Sequence, residues 1–251
     1  EIAAAAGRPY GVGVLAWTLD AQPHLLDAVL AARPALVAAC FGDWQRCVEP
    51  VHEAGAVFAT QVGTVAEARA AQDAGVDLVV ARGGEGGGHG RDLVATLPLL
   101  QGVLDAVDVP VLAAGGIATA RGLAAVLAAG AAGAWVGTAF LACTEGTNRA
   151  PARQAVVGAD ETATIYTTVL DLGRGIPWPS EFGGRAIRNE FATTWHGREA
   201  ELQAAGTRSE ESVVWAGQAV GLVRSERSAA DVVRDLAGAE ALLTAAAAQS
   251  R

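Results

Sequence analysis

The chain has 251 residues and is acidic, with 18 basic side chains against 27 acidic ones and a formal net charge of −9. That length supports one or two domains, and a hydrophobic content of 51% is ample for a sizeable core. The acidity argues against a nucleic-acid binder, which would show a basic patch or stripe.

Every basic side chain other than histidine is arginine. Without lysine there is no Schiff-base chemistry and no Walker-type lysine on a nucleotide phosphate. Cys40, Cys47 and Cys143 form no close-spaced pair, and an odd number of thiols suggests a reducing, cytoplasmic setting. Glu1–Tyr10 carries no charged-then-apolar leader pattern. The most apolar stretch, Val109 to Leu141, is broken by glycines and Arg121 before reaching the ~18 residues that a membrane span needs. The expectation is a soluble protein.

In chain order, strand-type runs stand at Tyr10–Trp17, Ala35–Ala38, Val57–Gln61, Leu78–Ala81, Val111–Ala114 and Ala134–Val136. Helix-type stretches lie between them, near 22–32, 43–54, 64–74, 97–106 and 119–129. Gly55, Gly75 and Gly130 stand where a helix C-cap needs a left-handed residue, each followed by the next apolar run. Strands and helices in alternation predict βαβ units and a parallel sheet, either doubly wound or a (β/α)8 barrel. The last two strands carry a barrel's phosphate-site arrangement, which makes them strands seven and eight. The chain then holds six of eight strands. About two βα units are expected before its first residue, in keeping with the absence of methionine.

Beyond Leu141 the pattern changes. Residues 146–212 are more polar and contain Pro151, Pro177, Pro179 and several tryptophans, which predicts a helical lid or insert over the strand ends. Residues 1–145 and 213–251 make up the barrel domain. Ser228 to Ala248 reads as one closing helix, with Ser228 as N-cap and Ala229, Val232, Val233, Leu236 and Leu243 facing inward.

Three segments carry chemistry. The first is Arg82-Gly83-Gly84-Glu85-Gly86-Gly87-Gly88-His89-Gly90, a strand end delivering many glycines, one carboxylate and one histidine into a single loop. Such glycine density costs backbone entropy, so close approach or positive φ must require it. A flat ligand at the C-terminal face of a barrel is a good candidate, with Glu85 as an anchor of the loop rather than a catalyst. The second is Val111-Leu112-Ala113-Ala114-Gly115-Gly116-Ile117, with Thr119 placed to cap the next helix; the third is Gly133-Ala134-Trp135-Val136-Gly137-Thr138. Bare amides at Gly115, Gly116, Gly137 and Thr138 predict a phosphate site that needs no lysine. His24, His52 and His196 are scattered and suggest no metal site. Cys143 reads as a core filler, and Trp178, Trp195 and Trp215 as packing or pocket lining.

In that order, the three motifs resemble the nitronate monooxygenase family, formerly called 2-nitropropane dioxygenases. The likeness continues through Gly184-Arg185-Ala186-Ile187-Arg188-Asn189 and Gly217-Gln218-Ala219-Val220-Gly221-Leu222-Val223, so it spans roughly residues 8 to 245. It implies a flavin-dependent oxidoreductase on a TIM barrel that binds FMN and oxidises alkyl nitronates with O₂ to a carbonyl compound and nitrite. His89 would be the catalytic base or substrate-orienting group. Gly83, Gly88, Gly115, Gly116, Gly137, Thr138 and Gln218 would hold the cofactor, with Gly221 near it. A small-molecule nitronate and O₂ would be its partners, with no nucleic acid or membrane, and a homodimer as the possible assembly. Two residues depart from the family pattern: Arg82 stands where Gln is common, and Gly86 where Ala or Ser is common. Arg cannot accept a hydrogen bond, which changes the contact expected at the flavin ring. An FMN-dependent enoyl-acyl-carrier-protein reductase, or another NAD(P)H-dependent flavin reductase, fits the same motifs. A flavin-free phosphate-binding barrel enzyme fits the turns alone.

Overall fold

A computed structural model describes residues 7–249, so Glu1–Ala6 of the leader reading lie outside the described residues. Each strand-type run becomes a strand: β1 (Gly11–Leu15), β2 (Leu36–Cys40), β3 (Val57–Val62) and β4 (Leu78–Arg82). A two-residue strand, β5 (Gly88–His89), follows, and then β6 (Val111–Ala114) and β7 (Gly133–Trp135). All but β5 pair in parallel in the order β1-β2-β3-β4-β6-β7, an open arc that β5 does not join. This is the curled parallel sheet of a barrel, with β1 and β7 as its edges. The first run ends early because Ala16–Asp20 coils into a 3₁₀ turn, tied down where Trp17 N donates to Phe41 O at 2.9 Å.

The expected helices form on the outside: α1 (His24–Ala31), α2 (Val48–Glu53), α3 (Val65–Asp73), α4 (Thr96–Leu104) and α5 (Ala120–Ala128). Thr64 and Thr119 cap α3 and α5, accepting from the amides of Glu67 and Gly122. Gly55, Gly75 and Gly130 take φ of +75°, +86° and +106°, the left-handed turn that returns the chain to the sheet. Val37, Phe58, Val79, Leu99 and Leu100 anchor the core between sheet and helices.

The 146–212 segment holds four helices, α6 (Ala150–Gly158), α7 (Val169–Arg174), α8 (Glu190–Trp195) and α9 (Glu199–Ala205). It is not purely helical. The strands β8 (Thr164–Thr167) and β9 (Gly184–Ile187) join β5 in an antiparallel sheet of order β5-β9-β8. This segment has a core of its own around Ile165, Leu170, Phe191 and Leu202. The closing helix divides at Gly238 into α10 (Ala229–Ala237) and α11 (Ala239–Gln249). Ser228 caps α10 by accepting from Asp231 N, as its sequence position implies. The buried stripe is Val232, Leu236 and Ala239, steps of four and three; Val233 falls off its edge and is exposed. Among the described residues, no helix is long and apolar enough to cross a membrane.

Candidate active site

A cleft of about 240 Å³ opens at the C-terminal ends of β3, β4, β6 and β7. Gly87, Gly88, Gly115, Gly116, Gly137 and Thr138 line it with nearly bare backbone, and Trp135 and Trp215 add flat walls. The two turns meet there because β6 and β7 are neighbours in register, Ala114 opposite Trp135. Gly115 and Gly116 take φ of +105° and +72°, which a side chain resists. At Gly88 and Gly137 an added Cβ would meet nothing within 4 Å. The Thr138 hydroxyl accepts from Gly217 N at 2.9 Å, which leaves its own proton free to donate. A slot with two tryptophans in its walls and a glycine and threonine end suits a flat ring that carries a phosphate.

The loop after β4 is folded around a buried cation. Arg82, 3% exposed, donates from Nη2 to Gly86 O (2.5 Å) and Gly88 O (2.9 Å), and from Nη1 to Arg91 O (2.9 Å). Burial pushes its guanidinium down to about 10, still charged at neutral pH. An added Cβ at Gly86 would lie 2.6 Å from Arg82 Nε. The two departures from the family pattern are therefore one, because Arg at 82 needs glycine at 86. Glu85 points away from the cleft and accepts from Thr96 N at 2.6 Å, tying the loop to the first turn of α4. An anchor is what its position in the sequence suggests.

His89 sits in β5, held opposite Gly184 of β9. Its Nε2 is 2.8 Å from Asp171 Oδ2, with the two side chains only 10% and 5% exposed. Among the described residues, the Nδ1 atom makes no hydrogen bond and Asp171 Oδ1 is buried without a partner. The imidazole lies flat on Trp178, with centroids 3.5 Å apart and planes 6° apart, while Trp215 tilts against it at 4.5 Å. Trp215 and Gly88, not the His89 ring itself, form the cleft wall on that side. Phe41 and Trp17 contact Trp178 in turn, and Phe41 also meets Phe182, so an aromatic cluster extends from the His89 ring. Phe41 is one of two non-glycine residues in the described chain with positive φ, +64°.

Not every residue implied by the resemblance reaches the cleft. Gly83 packs on α4, where its Cβ would stand 2.3 Å from Thr96 N. The Gln218 amide donates to Glu85 O, but its side chain borders a separate hollow with Asp92 and Arg185. Gly221 packs against Glu161. His24, His52 and His196 stand apart, and no metal-type cluster occurs among the described residues.

A nitronate monooxygenase model matches residues 13–238. The chain belongs to that family. A dehydrogenase of Rhodococcus jostii that acts on a hydroxy-methyl-oxo-octahydroindene carboxyl-CoA is 41% identical over 140 residues, 56% of this chain and 39% of that protein. A nitronate monooxygenase of Neurospora crassa is 32% identical over 215 residues, 78% of this chain and 57% of that one. The chain thus spans between about two fifths and three fifths of these relatives. Among solved structures, a nitroalkane oxidase of Streptomyces ansochromogenes superposes with a TM-score of 0.75 at 29% identity, covering 96% of this chain and 83% of that one.

Within a nitronate monooxygenase fold, Asp171 and Gln61 lie outside the quoted motifs, and Arg185 lies inside one that assigned it no role. Asp171 comes from α7, 82 positions beyond His89, and no local pattern links them. Gln61, at the end of β3, lines the cleft and donates to His89 O at 3.4 Å. Arg185 in β9 donates to Gly84 O (2.7 Å) and pairs with Asp92 (2.9 Å), bracing the loop from the 146–212 segment.

Proposed function

We propose that the chain binds FMN and oxidises alkyl nitronates with O₂, giving a carbonyl compound and nitrite. The observation that carries this is one cleft with glycines and tryptophans in its wall, where Trp215 also contacts His89, itself paired with Asp171. The amides of Gly115, Gly116 and Gly137 and the Thr138 hydroxyl would hold the phosphate, and Gly88 would leave room for the ring. When bound, FMN supplies the electron transfer and oxygen chemistry. His89 removes the α-proton of a neutral nitroalkane through Nδ1, the nitrogen that Asp171 leaves free. Asp171 holds the ring by its other nitrogen and balances the imidazolium that forms. The 146–212 segment serves as the lid: Trp178, between Pro177 and Pro179, covers His89 and excludes water from it. Substrate entry requires that contact to part. Three free thiols accord with a reducing cytosol, and a homodimer is the assembly that we expect.

The likeness to the Rhodococcus dehydrogenase favours a second reading, nicotinamide-linked flavin chemistry on a bulkier substrate. The aromatic cluster of Trp17, Phe41, Trp178 and Phe182 is compatible with it. Mixing the flavin-loaded protein under nitrogen with a nitronate and, separately, with NADH decides between them. Bleaching by the nitronate alone supports the first reading, bleaching by NADH alone the second. A purified protein that takes up no flavin sinks both.

A further inference from the structure

We propose that Arg82 is a permanent positive charge set beneath the cofactor cleft, where it favours anionic over neutral states of a bound flavin ring. The inference rests on the reading that a flavin occupies this cleft.

Buried arginines ordinarily face a carboxylate. Arg82 does not. Its guanidinium bonds only to the carbonyls of Gly86, Gly87, Gly88 and Arg91, and its Nε is buried with no partner. The nearby acid, Asp92, is taken by Arg185 at 2.9 Å. Among the described residues, Arg82 therefore has no carboxylate of its own to bond. Arg82 is among the residues that line the cleft, together with Gly115, Gly116, Trp135 and Thr138, so its charge stands in the wall beside the space proposed for the ring. In a water-poor site such a charge acts strongly over several ångströms.

The loop is shaped to keep that charge. A Cβ at Gly86 would lie 2.6 Å from Arg82 Nε, and one at Gly90 2.7 Å from its Cζ. Two glycines thus make room for one guanidinium. A loop staple alone would need only N–H donors, which a neutral amide also offers. An uncompensated buried ion costs folding free energy, so its retention beneath a ligand cleft points to a ligand that becomes negative.

Sulfite reads this charge directly and needs no turnover. Its sulfur lone pair forms one S–N bond to the oxidised ring, no group leaves, and an electron pair displaced within the ring remains there as negative charge. The adduct bleaches the flavin, so a titration gives its dissociation constant. In the FMN-loaded protein, Arg82→Gln should weaken sulfite binding about tenfold or more, whereas Arg82→Lys, which keeps the charge but loses the planar fork, should stay within about threefold. Equal weakening in both variants would reduce Arg82 to a staple of the loop, and no weakening in Arg82→Gln would remove its electrostatic role; either overturns the proposal. Thermal melting monitors the fold. If Arg82→Gln does not fold, the variant read in its place is R82Q/G86A, whose added methyl takes up space that the guanidinium vacates. Normal nitronate turnover with sulfite binding indifferent to residue 82 defeats this proposal alone. The expected sulfite response without nitronate turnover defeats only the proposed substrate.

Discussion

The glycine loop after β4 and the glycine turns after β6 and β7 look alike in the sequence, yet their glycines answer to different neighbours. In the loop, Gly83 presses on the backbone of Thr96, Gly86 and Gly90 on Arg82, and Gly87 on the backbone of Gly217, each closer than any Cβ allows. At the second turn, Gly137 faces open space. Gly115 stands between, with φ of +105° and Thr96 Oγ1 2.8 Å from its would-be Cβ. The loop glycines that press on their neighbours admit the protein's own atoms; Gly137 leaves open space beside the backbone, the space that the proposed phosphate would take.

If the loop is packed in order to present His89, the largest effect belongs to the residue presented. His89→Asn should retain FMN and lose ~10²–10⁴-fold in turnover of a neutral nitroalkane, the usual worth of a placed general base. Turnover of the preformed nitronate, with no proton left to remove, should suffer far less. Equal losses on both would make His89 an orienting group, and no loss would leave the packed loop without a catalytic purpose. Next in size, Gly83→Ala forces a methyl onto the backbone of α4, and the protein should lose about 3 kcal/mol in denaturant unfolding. A loss below about 0.5 kcal/mol, the range of an ordinary surface change, would mean that the loop is not packed. Smaller again, Asp171→Asn should cost roughly 10–100-fold in nitroalkane turnover, as losing a partner that orients a functional imidazole does. The ring ¹⁵N shifts of His89 should show the proton leaving Nε2, while Asp171→Glu should restore it. Unchanged shifts in Asp171→Asn would remove Asp171 from any positioning role.

The same contrast explains what was legible in the sequence. Parallel strands and their outer helices are local patterns, apolar runs closed by Gly55, Gly75 and Gly130, and all six strands formed within a few residues of where the runs stand. The two glycine turns that meet at the cleft were legible because each is a strand end followed by glycine. What failed to show was whatever depends on distance along the chain. Asp171 meets His89 from the 146–212 segment, and β9 reaches across to pair with β5, so the segment expected to be helical acquires a sheet. Gly83 carries the right letter but packs on α4, and Gln218, exposed, borders another hollow, since a motif gives a residue's place without what it faces. The closing helix broke at Gly238, where a glycine inside a helical pattern lowers the cost of a turn.

The smallest effect is the one that tests the open turn. Gly137 has φ of −119°, an angle any residue adopts, and an added Cβ there would meet no protein atom within 4 Å. Gly137→Ala should therefore fold as the parent does, with unfolding free energy changed by no more than about 0.5 kcal/mol. The methyl has to go somewhere, and the space beside Gly137 is the cleft that Thr138 and Gly116 also line. FMN affinity of the apoprotein, read from the quenching of flavin fluorescence, should fall roughly tenfold, about 1.4 kcal/mol. Riboflavin, which lacks the phosphate, should be affected much less, because the methyl intrudes at the phosphate end and not along the ring. A variant that melts early would make Gly137 a packed glycine like Gly83 and erase the contrast. One that folds and binds FMN as before would leave the contrast standing but move the phosphate elsewhere in the cleft.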